Sequence, residues 1–257
     1  MILETDRITR AWHESAVTNV RPNKVLLVTD FDGTLAEIVP DPATAHARQD
    51  SLEALQELVA HLDAVIVLSS RAPAQLEQLV PLSGVRLIGD SGLALPRRTQ
   101  QAILDRFNSA AGRLLVTIPG AWIEVKPAST AIHFRNTDLT GEQVLDLLKP
   151  ALSGQLLEAS LGRKVVEVHA PNAGKGTALL ALLPEVNPGG VVCFGDDEND
   201  RSLFEKVSSL EIPHMCVGVW SPEAPADLFE NCDLVVPGPA GAAQVLREVV
   251  EWARASR

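Results

Sequence analysis

No apolar run in the 257-residue chain approaches the roughly 20 residues that a bilayer-spanning helix needs. The first residues, MILETDRITRAWHESAV, place acids, a Trp and a His where a secretory leader requires an unbroken apolar segment. The chain is therefore expected in the cytoplasm, without a membrane partner. Cysteine is scarce. Cys193, Cys216 and Cys232 show no metal-ligand spacing, cannot all pair, and in two cases sit inside apolar runs (VVCFG, MCVGVW), so reduced, buried thiols are expected. Basic residues are also short: 22 Lys and Arg stand against 33 Asp and Glu, a formal net charge of −11. That balance argues against a nucleic-acid partner, which needs a basic face. It leaves room for a small anionic substrate, because a local cation or a metal reverses the field at one site. There is no internal repeat and no low-complexity segment.

What is present is an ordinary soluble composition, 46% hydrophobic and 21% charged, in a chain long enough for one large domain or a core with a smaller insert. Short runs rich in Val, Ile and Leu recur: KVLLVTD (24–30), AVIVLSS (64–70), VRLIGD (85–90), VVCFGD (191–196), MCVGVW (215–220) and LVVP (234–237). Such runs are expected where a sheet is covered on both faces. Between them, SLEALQELVAHL (51–62), APAQLEQLV (72–80), GTALLALLP (176–184) and AAQVLREVVEWA (242–253) carry apolar residues at helical spacing, and a further helix is expected over about 5–18. The alternation predicts an α/β fold with a doubly wound, mostly parallel sheet, whose ligands bind beyond the carboxyl ends of the strands.

Residues 96–169 read differently. A helix (PRRTQQAILDRFNSAAGRLL), two alternating runs (AWIEVK, TAIHFR), a second helix (EQVLDLLKPAL) and two more strand-like pieces (QLLEAS, KVVEVH) follow one another. They predict an antiparallel sheet with two helices, an α+β cap inserted between core segments 1–95 and 170–257.

Four pieces of chemistry fall at predicted strand ends. LLVTDFDGTLAEI closes a strand in Asp30, with Asp32 two residues on and Gly33-Thr34 opening a turn. Two carboxylates this close are costly where a strand leaves a buried sheet, unless a cation or a proton compensates. VVCFGDDENDRSLF closes a second strand in Gly195-Asp196-Asp197, with Asp200 beyond. Acids complementing a helix dipole would account for Asp197 and Glu198, but not for the match with the first cluster. Two acidic strand ends in one parallel sheet can face a common divalent cation, and oxygen ligands with retained waters suit Mg²⁺. Ser69, at the end of AVIVLSS, can bind a phosphate oxygen or cap a helix. Lys175, between two glycines in APNAGKGTALL, is either a solvated turn residue or an ammonium placed where the backbone approaches a phosphate.

In chain order, DFDGT, Ser69, Lys175 and GDDEND resemble the four motifs of the haloacid dehalogenase phosphatases. The resemblance implies a Rossmann-like core and Mg²⁺ held by a carboxylate oxygen of Asp30, the backbone carbonyl of Asp32 and a carboxylate of Asp196. The split between Asp196 and Asp197 as metal ligands stays open; Asp197 and Asp200 would act through waters or by orienting Lys175. It further implies that Asp30 is transiently phosphorylated, while Asp32 protonates the leaving sugar oxygen and then deprotonates water. Lys175, with Thr34 or Ser69, would hold phosphate oxygens. Electrostatics has to dominate such a reaction, because a phosphate dianion repels a carboxylate nucleophile.

The likeness narrows further. DGTLAEIVPDPATA, VLSSR, WIEVKPASTAIHFR, VVEVHAPNAGKG and GDDENDRSLF together resemble the trehalose-phosphate phosphatases over roughly residues 24–236. Carried across, Glu124, Lys126 and Glu167 become cap residues that hydrogen-bond sugar hydroxyls, Arg71 joins the substrate-binding set, and the substrate becomes a small sugar phosphate, trehalose 6-phosphate. On residue type alone the same three cap residues are a strand face with cross-strand charge pairs, and His133 is a packed cap residue. The chain departs from the family pattern at Ser70 (usually Gly), Ser91 (His), Ala94 (Glu), Asn199 (Thr), Arg201 (Glu) and His169-Ala170 (Arg-Pro), mostly near the core–cap junction. The neighbouring alternative is a phosphatase of mannosyl-3-phosphoglycerate, sucrose phosphate or glucosylglycerol phosphate. A phospho-receiver module would need only about half this length and would lack a counterpart of Asp32. A sugar-phosphate sensor that no longer hydrolyses would have no use for the complete motif set.

Overall fold

Five consecutive buried residues leave β1 (Val25–Thr29) no face for solvent, so it can lie only in the interior of a sheet covered on both sides. The computed structural model, which describes residues 2–93, 98–126, 128–171, 174–225 and 227–256, places it there. With β2 (Ala64–Leu68), β3 (Arg86–Ile88), β8 (Gly190–Gly195), β9 (His214–Trp220) and β10 (Leu234–Pro237) it forms a six-stranded sheet in the order β10-β9-β8-β1-β2-β3. Every neighbouring pair is parallel.

Alternate strand residues serve opposite faces. Leu27, Val65, Val67, Phe194 and Val217 join α1 (Ile2–Glu14), α2 (Gln49–Leu58), α3 (Pro73–Leu79) and α8 (Gly238–Ala255) in one apolar layer. Leu26, Val28, Ile66, Cys193 and Cys216 join α6 (Lys175–Val186) and α7 (Glu198–Ser208) in the other. The chain winds from β1 toward β3 on one side and reaches β8 on the other. The strand order therefore reverses at β1/β8, where such sheets bind ligands.

Between β3 and α6 lies the α+β cap: α4 (Arg98–Leu115), β4 (Trp122–Val125), β5 (Ser129–His133), α5 (Gly141–Leu152), β6 (Glu158–Gly162) and β7 (Val165–His169). Its strands form an antiparallel sheet in the order β4-β5-β7-β6. Phe107, Leu148, Ile132, Val166 and Val168 fill the space between this sheet and its helices. Glu124 and Glu167, at the alternate positions, take the other face.

The structure differs from the sequence reading in places. The first helix ends at Glu14, because the Ser15 hydroxyl accepts from the Val17 amide and turns the chain into a 3-10 segment, Ala16–Asn19. Helix α2 stops at Leu58; hydrogen-bonded turns carry on to Leu62, which still reaches the core. Of α7 the sequence indicated only the acidic start. Cys193 and Cys216 are free and buried as expected, whereas Cys232 is only partly buried. The expected boundary at 95/96, and Ala94, lie outside the described residues. Among those described, no helix is long and apolar enough to cross a membrane.

The first helix is an integral part of the core. Trp12 is fully buried and meets Trp252 of α8 edge-on, ring centroids 5.5 Å apart at 74°. Its indole N–H has no hydrogen-bond partner among the described residues. Trp12→Ala is expected to cost about 3–5 kcal/mol in urea unfolding. Trp12→Phe should cost clearly less, since it keeps a ring and removes the unpaired donor.

Candidate active site

Thr29 and Phe194 are register partners, so Asp30, next after Thr29, and Asp196, two residues after Phe194, leave the sheet from adjacent strands. The Asp30 amide still donates to the Phe194 carbonyl at 3.1 Å. Gly33 makes the turn possible. Its φ is +74°, and a Cβ there would lie 2.0 Å from Asp196 Oδ2, so only glycine brings the first loop this close to the second. Thr34 is fully buried, its hydroxyl 3.3 Å from Asp196 Oδ1.

Lys175 opens α6 and sends its ammonium into the gap. Nζ lies 2.8 Å from Asp30 Oδ1 and 2.7 Å from Asp200 Oδ1, with the side chain 2% exposed. Asp200 Oδ2 accepts from the Asp196 and Asp197 amides at 3.0 and 3.2 Å, fixing the loop after β8. Asp197 is turned away from the cluster centre. Oδ1 caps α7 by accepting from the Glu198 amide, and Oδ2 accepts from the Arg163 amide of the cap at 2.8 Å.

Arg163 is the residue that sequence reasoning missed. It sits in the turn between β6 and β7, and its Nη2 comes within 2.7 Å of Asp196 Oδ2 while donating to the Asp196 carbonyl at 3.1 Å. The contact with Oδ2 is one of charge rather than a directed hydrogen bond: that buried oxygen, like Arg163 Nε, has no hydrogen-bond partner among the described residues. Gly-Arg-Lys in a hairpin turn is normally a solvated tip, so nothing in the sequence marked it.

Charge and burial set the electrostatics. Burial pushes the Asp30 carboxyl up to about 7, against the pull of Lys175 and with the help of the Asp200 charge. Asp196 is raised well above the carboxylate range by burial and by the neighbouring Asp30 charge, and burial raises Asp197 as well. Burial would lower Lys175, but the Asp200 and Asp30 carboxylates outweigh it and keep the ammonium charged. Four carboxylates (Asp30, Asp196, Asp197, Asp200) thus share two cations (Lys175, Arg163). Oxygens of Asp30, Asp196 and Asp200 lie within 4.8 Å of one another. An all-oxygen set with one orphaned, buried carboxylate oxygen fits a hard divalent cation such as Mg²⁺.

Arg71 grips Asp32 with both arms of its fork, at 2.7 Å each, and stacks over Phe31. The hydroxyl of Ser69 accepts from the Arg71 amide at 3.2 Å. From the cap, Lys126 reaches the Ser70 carbonyl at 2.8 Å and Glu167 Oε1 at 3.3 Å, and Glu167 also accepts from Ser129. Glu124 accepts from His133 at 2.9 Å, which lowers its carboxyl.

A cavity of about 330 Å³ joins the two units. Asp30, Asp32, Lys175, Asp196 and Asp197 line it from the core, and Glu124, Lys126 and Arg163 from the cap; Arg71 also reaches it. Thr34 and Ser69 do not reach its wall, and Glu167 faces a neighbouring cavity of about 370 Å³ beside α6 and α7.

Residues 28–225 match the family model described as trehalose-phosphatase. The chain belongs to the trehalose-phosphatase family. It is 32% identical over 229 residues to a bifunctional trehalose-6-phosphate synthase/phosphatase of Thermoproteus tenax, covering 79% of this chain and 30% of that protein. It is 34% identical over 203 residues to a trehalose-phosphate phosphatase of Mycobacterium tuberculosis, covering 72% of this chain and 51% of that protein. The chain thus spans about half the length, or less, of these curated relatives. In fold it is similar to the C-terminal domain of trehalose-6-phosphate phosphatase of Candida albicans, with a TM-score of 0.72 at 21% identity over 97% of this chain and 96% of that one. It is also similar to the sucrose-phosphatase of Synechocystis, with a TM-score of 0.57 at 18% identity over 90% and 98%.

The departures from the family pattern occupy identifiable places. Ser91, like Asp90, adopts a left-handed backbone (φ +53° and +50°), and its amide donates to the Ser69 carbonyl. Asn199 Oδ1 lies 3.3 Å from the Ser160 hydroxyl, across the core–cap junction. Arg201 pairs with Glu198 and Asp227, and His169 Nδ1 lies 2.8 Å from the Ala170 carbonyl.

Lys175→Met strands Asp30 and Asp200 in the interior without their shared cation, and is expected to cost about 3–5 kcal/mol of stability. The deficit should be largest at high pH. Lys175 holds the Asp30 carboxyl down, so without it Asp30 titrates above about 7; as the pH falls through that range the carboxyl takes up a proton and the deficit shrinks. Urea unfolding of both proteins at pH 6 and pH 9 measures the difference.

Proposed function

We propose that this chain hydrolyses a phosphorylated disaccharide, trehalose 6-phosphate before others, with Mg²⁺ and through an aspartyl-phosphate on Asp30. The observation that carries the reading is a single cavity with Asp30, Asp32 and Lys175 on its core wall and Glu124 and Lys126 on its cap wall. Membership of the trehalose-phosphatase family supports the choice of sugar.

In this reading Asp30 attacks phosphorus and becomes phosphorylated, while the bond to the leaving sugar oxygen breaks. Asp32, oriented by the fork of Arg71, gives that oxygen a proton and then takes one from the water that releases phosphate. Lys175 keeps Asp30 in place and offsets phosphate charge. Asp30, Asp196 and Asp200, with the Asp32 carbonyl, would hold Mg²⁺, which when bound would neutralise phosphoryl oxygens. Glu124 and Lys126 would read sugar hydroxyls, and residues 96–169, acting as a lid, would keep water from the phosphorus.

Phosphate release from trehalose 6-phosphate, with and without Mg²⁺, tests the proposal directly. Asp30→Asn is expected to lower kcat by at least about 10³-fold, and Asp32→Asn by about 10²–10⁴-fold. Best kcat/KM on sucrose phosphate, mannosyl-3-phosphoglycerate or glucosylglycerol phosphate would move the substrate within the same chemistry. Full activity in Asp30→Asn would remove the nucleophile.

Metal binding has its own readout. Mg²⁺ at a hundredfold excess over Kd should stabilise the protein by about 2.7 kcal/mol, seen as a rise in Tm that EDTA reverses. Asp196→Asn should abolish most of this rise, since it removes one of the three clustered carboxylates.

A further inference from the structure

We infer that Trp122 is a stacking platform for the sugar ring that does not carry the phosphate, and so selects disaccharide phosphates over monosaccharide phosphates. The inference rests on the phosphatase reading above and deepens it.

Trp122 begins β4, an edge strand of the cap sheet, directly opposite His133 on β5. The two rings lie almost parallel, centroids 3.9 Å apart and planes 11° from one another. His133 is held in turn by Glu124 at 2.9 Å. A cross-strand aromatic pair of this kind stabilises an edge strand, and that is its ordinary role. That role leaves two observations unexplained. Trp122 remains 46% exposed although it has a stacking partner, and it lines the same cavity as Asp30.

The cavity's other residues say what an exposed indole there can recognise. Across from the cap, the loop after Asp32 contributes Ile38, Val39, Pro40, Pro42 and Ala43, a largely apolar stretch broken by Asp41. A sugar ring has apolar faces of C–H groups and a polar rim of hydroxyls. The electron-rich face of an aromatic ring attracts polarised C–H groups, while carboxylates and an ammonium suit the rim. Trp122 offers the face, and Glu124 and Lys126, one and two pleats further along on the same side, offer partners for the rim. Because His133, itself held by Glu124, stacks on the indole, little side-chain freedom is lost when a ring settles on it. The phosphate end of a substrate is fixed at Asp30 and Lys175, so a ring on Trp122 belongs to a second sugar unit. A single phosphorylated sugar gains little from the platform.

The experiment measures kcat/KM on trehalose 6-phosphate and on glucose 6-phosphate for wild type, Trp122→Ala, Trp122→Leu and Trp122→Phe, with a melting curve for each. The expected result is a roughly tenfold fall in the ratio of the two values for Ala and Leu, the size of one good aromatic contact. It should appear mainly in KM, with most of the ratio kept in Phe. An unchanged ratio in all three variants overturns the platform, as does a Leu variant that matches wild type, since apolar area would then suffice. If Ala fails to fold, Leu and Phe decide by the same ratio. Should wild type prefer a different phosphorylated disaccharide, trehalose 6-phosphate is the wrong substrate, and the same ratio measured with the preferred one decides on Trp122. A wild type that hydrolyses glucose 6-phosphate as well as any disaccharide phosphate overturns the platform and leaves the phosphatase standing.

Discussion

A buried ammonium holds this site together. The Lys175 side chain is almost wholly buried, and its two short contacts join the end of β1 to the start of α7 through Asp30 and Asp200. Asp200 in turn orders the loop after β8 by accepting from two of its amides. Remove the ammonium and each carboxylate faces the others across a low-dielectric gap, where like charges repel strongly. The surplus of negative charge that remains even with Lys175 in place suits the cluster to a divalent cation. The family's phosphate chemistry is thus a consequence of a packing problem: acids crowded at strand ends need positive charge from somewhere.

The second unit divides the labour. The parallel core can position groups only at its strand ends, all on one rim. An antiparallel sheet covered by α4 and α5 on one side leaves a whole face free, and that face meets the rim across the cavity. Lys126 crosses the gap to the Ser70 carbonyl, and Asn199 meets Ser160 on the other flank. Several positions at which this chain departs from its family, Ser70, Ser91 and Asn199 among them, lie along this seam. The charged cluster itself keeps the family's residues.

Most of this was legible before any coordinates. Buried parallel strands announce themselves as continuous apolar runs, and all six core strands lie where those runs do. The cap strands could be read because one side of the sheet faces helices and the other does not, which imposes alternation. Asp30, Asp32, Lys175 and Asp196 were visible because acids and a lysine beside glycines at strand ends conflict with the apolar pattern around them. What stayed hidden depends on contacts between segments far apart in the chain. Arg163 lies in a turn with no local signal, and its partners are 33 and 34 residues away. The engagement of both Asp197 oxygens, one as a helix cap and one by the cap's backbone, could not be foreseen from a pair of adjacent aspartates. Nor could the orientation of Glu167 toward the second cavity, since that depends on how the two sheets are set against one another.

The turn at Gly162-Arg163 has an evolutionary corollary. A Cβ on Gly162 would meet Asp197 Oδ2 at 2.9 Å, so the hairpin and the acidic loop are fitted to each other both in shape and in charge. A cap grafted from a distant relative would bring a hairpin shaped for a different acidic loop; a substitution at Asp196 would take away the guanidinium's carboxylate, and one at Asp197 the acceptor of the Arg163 amide. The two modules of this fold therefore have to drift in concert, with sequence diversity narrowest at this hook.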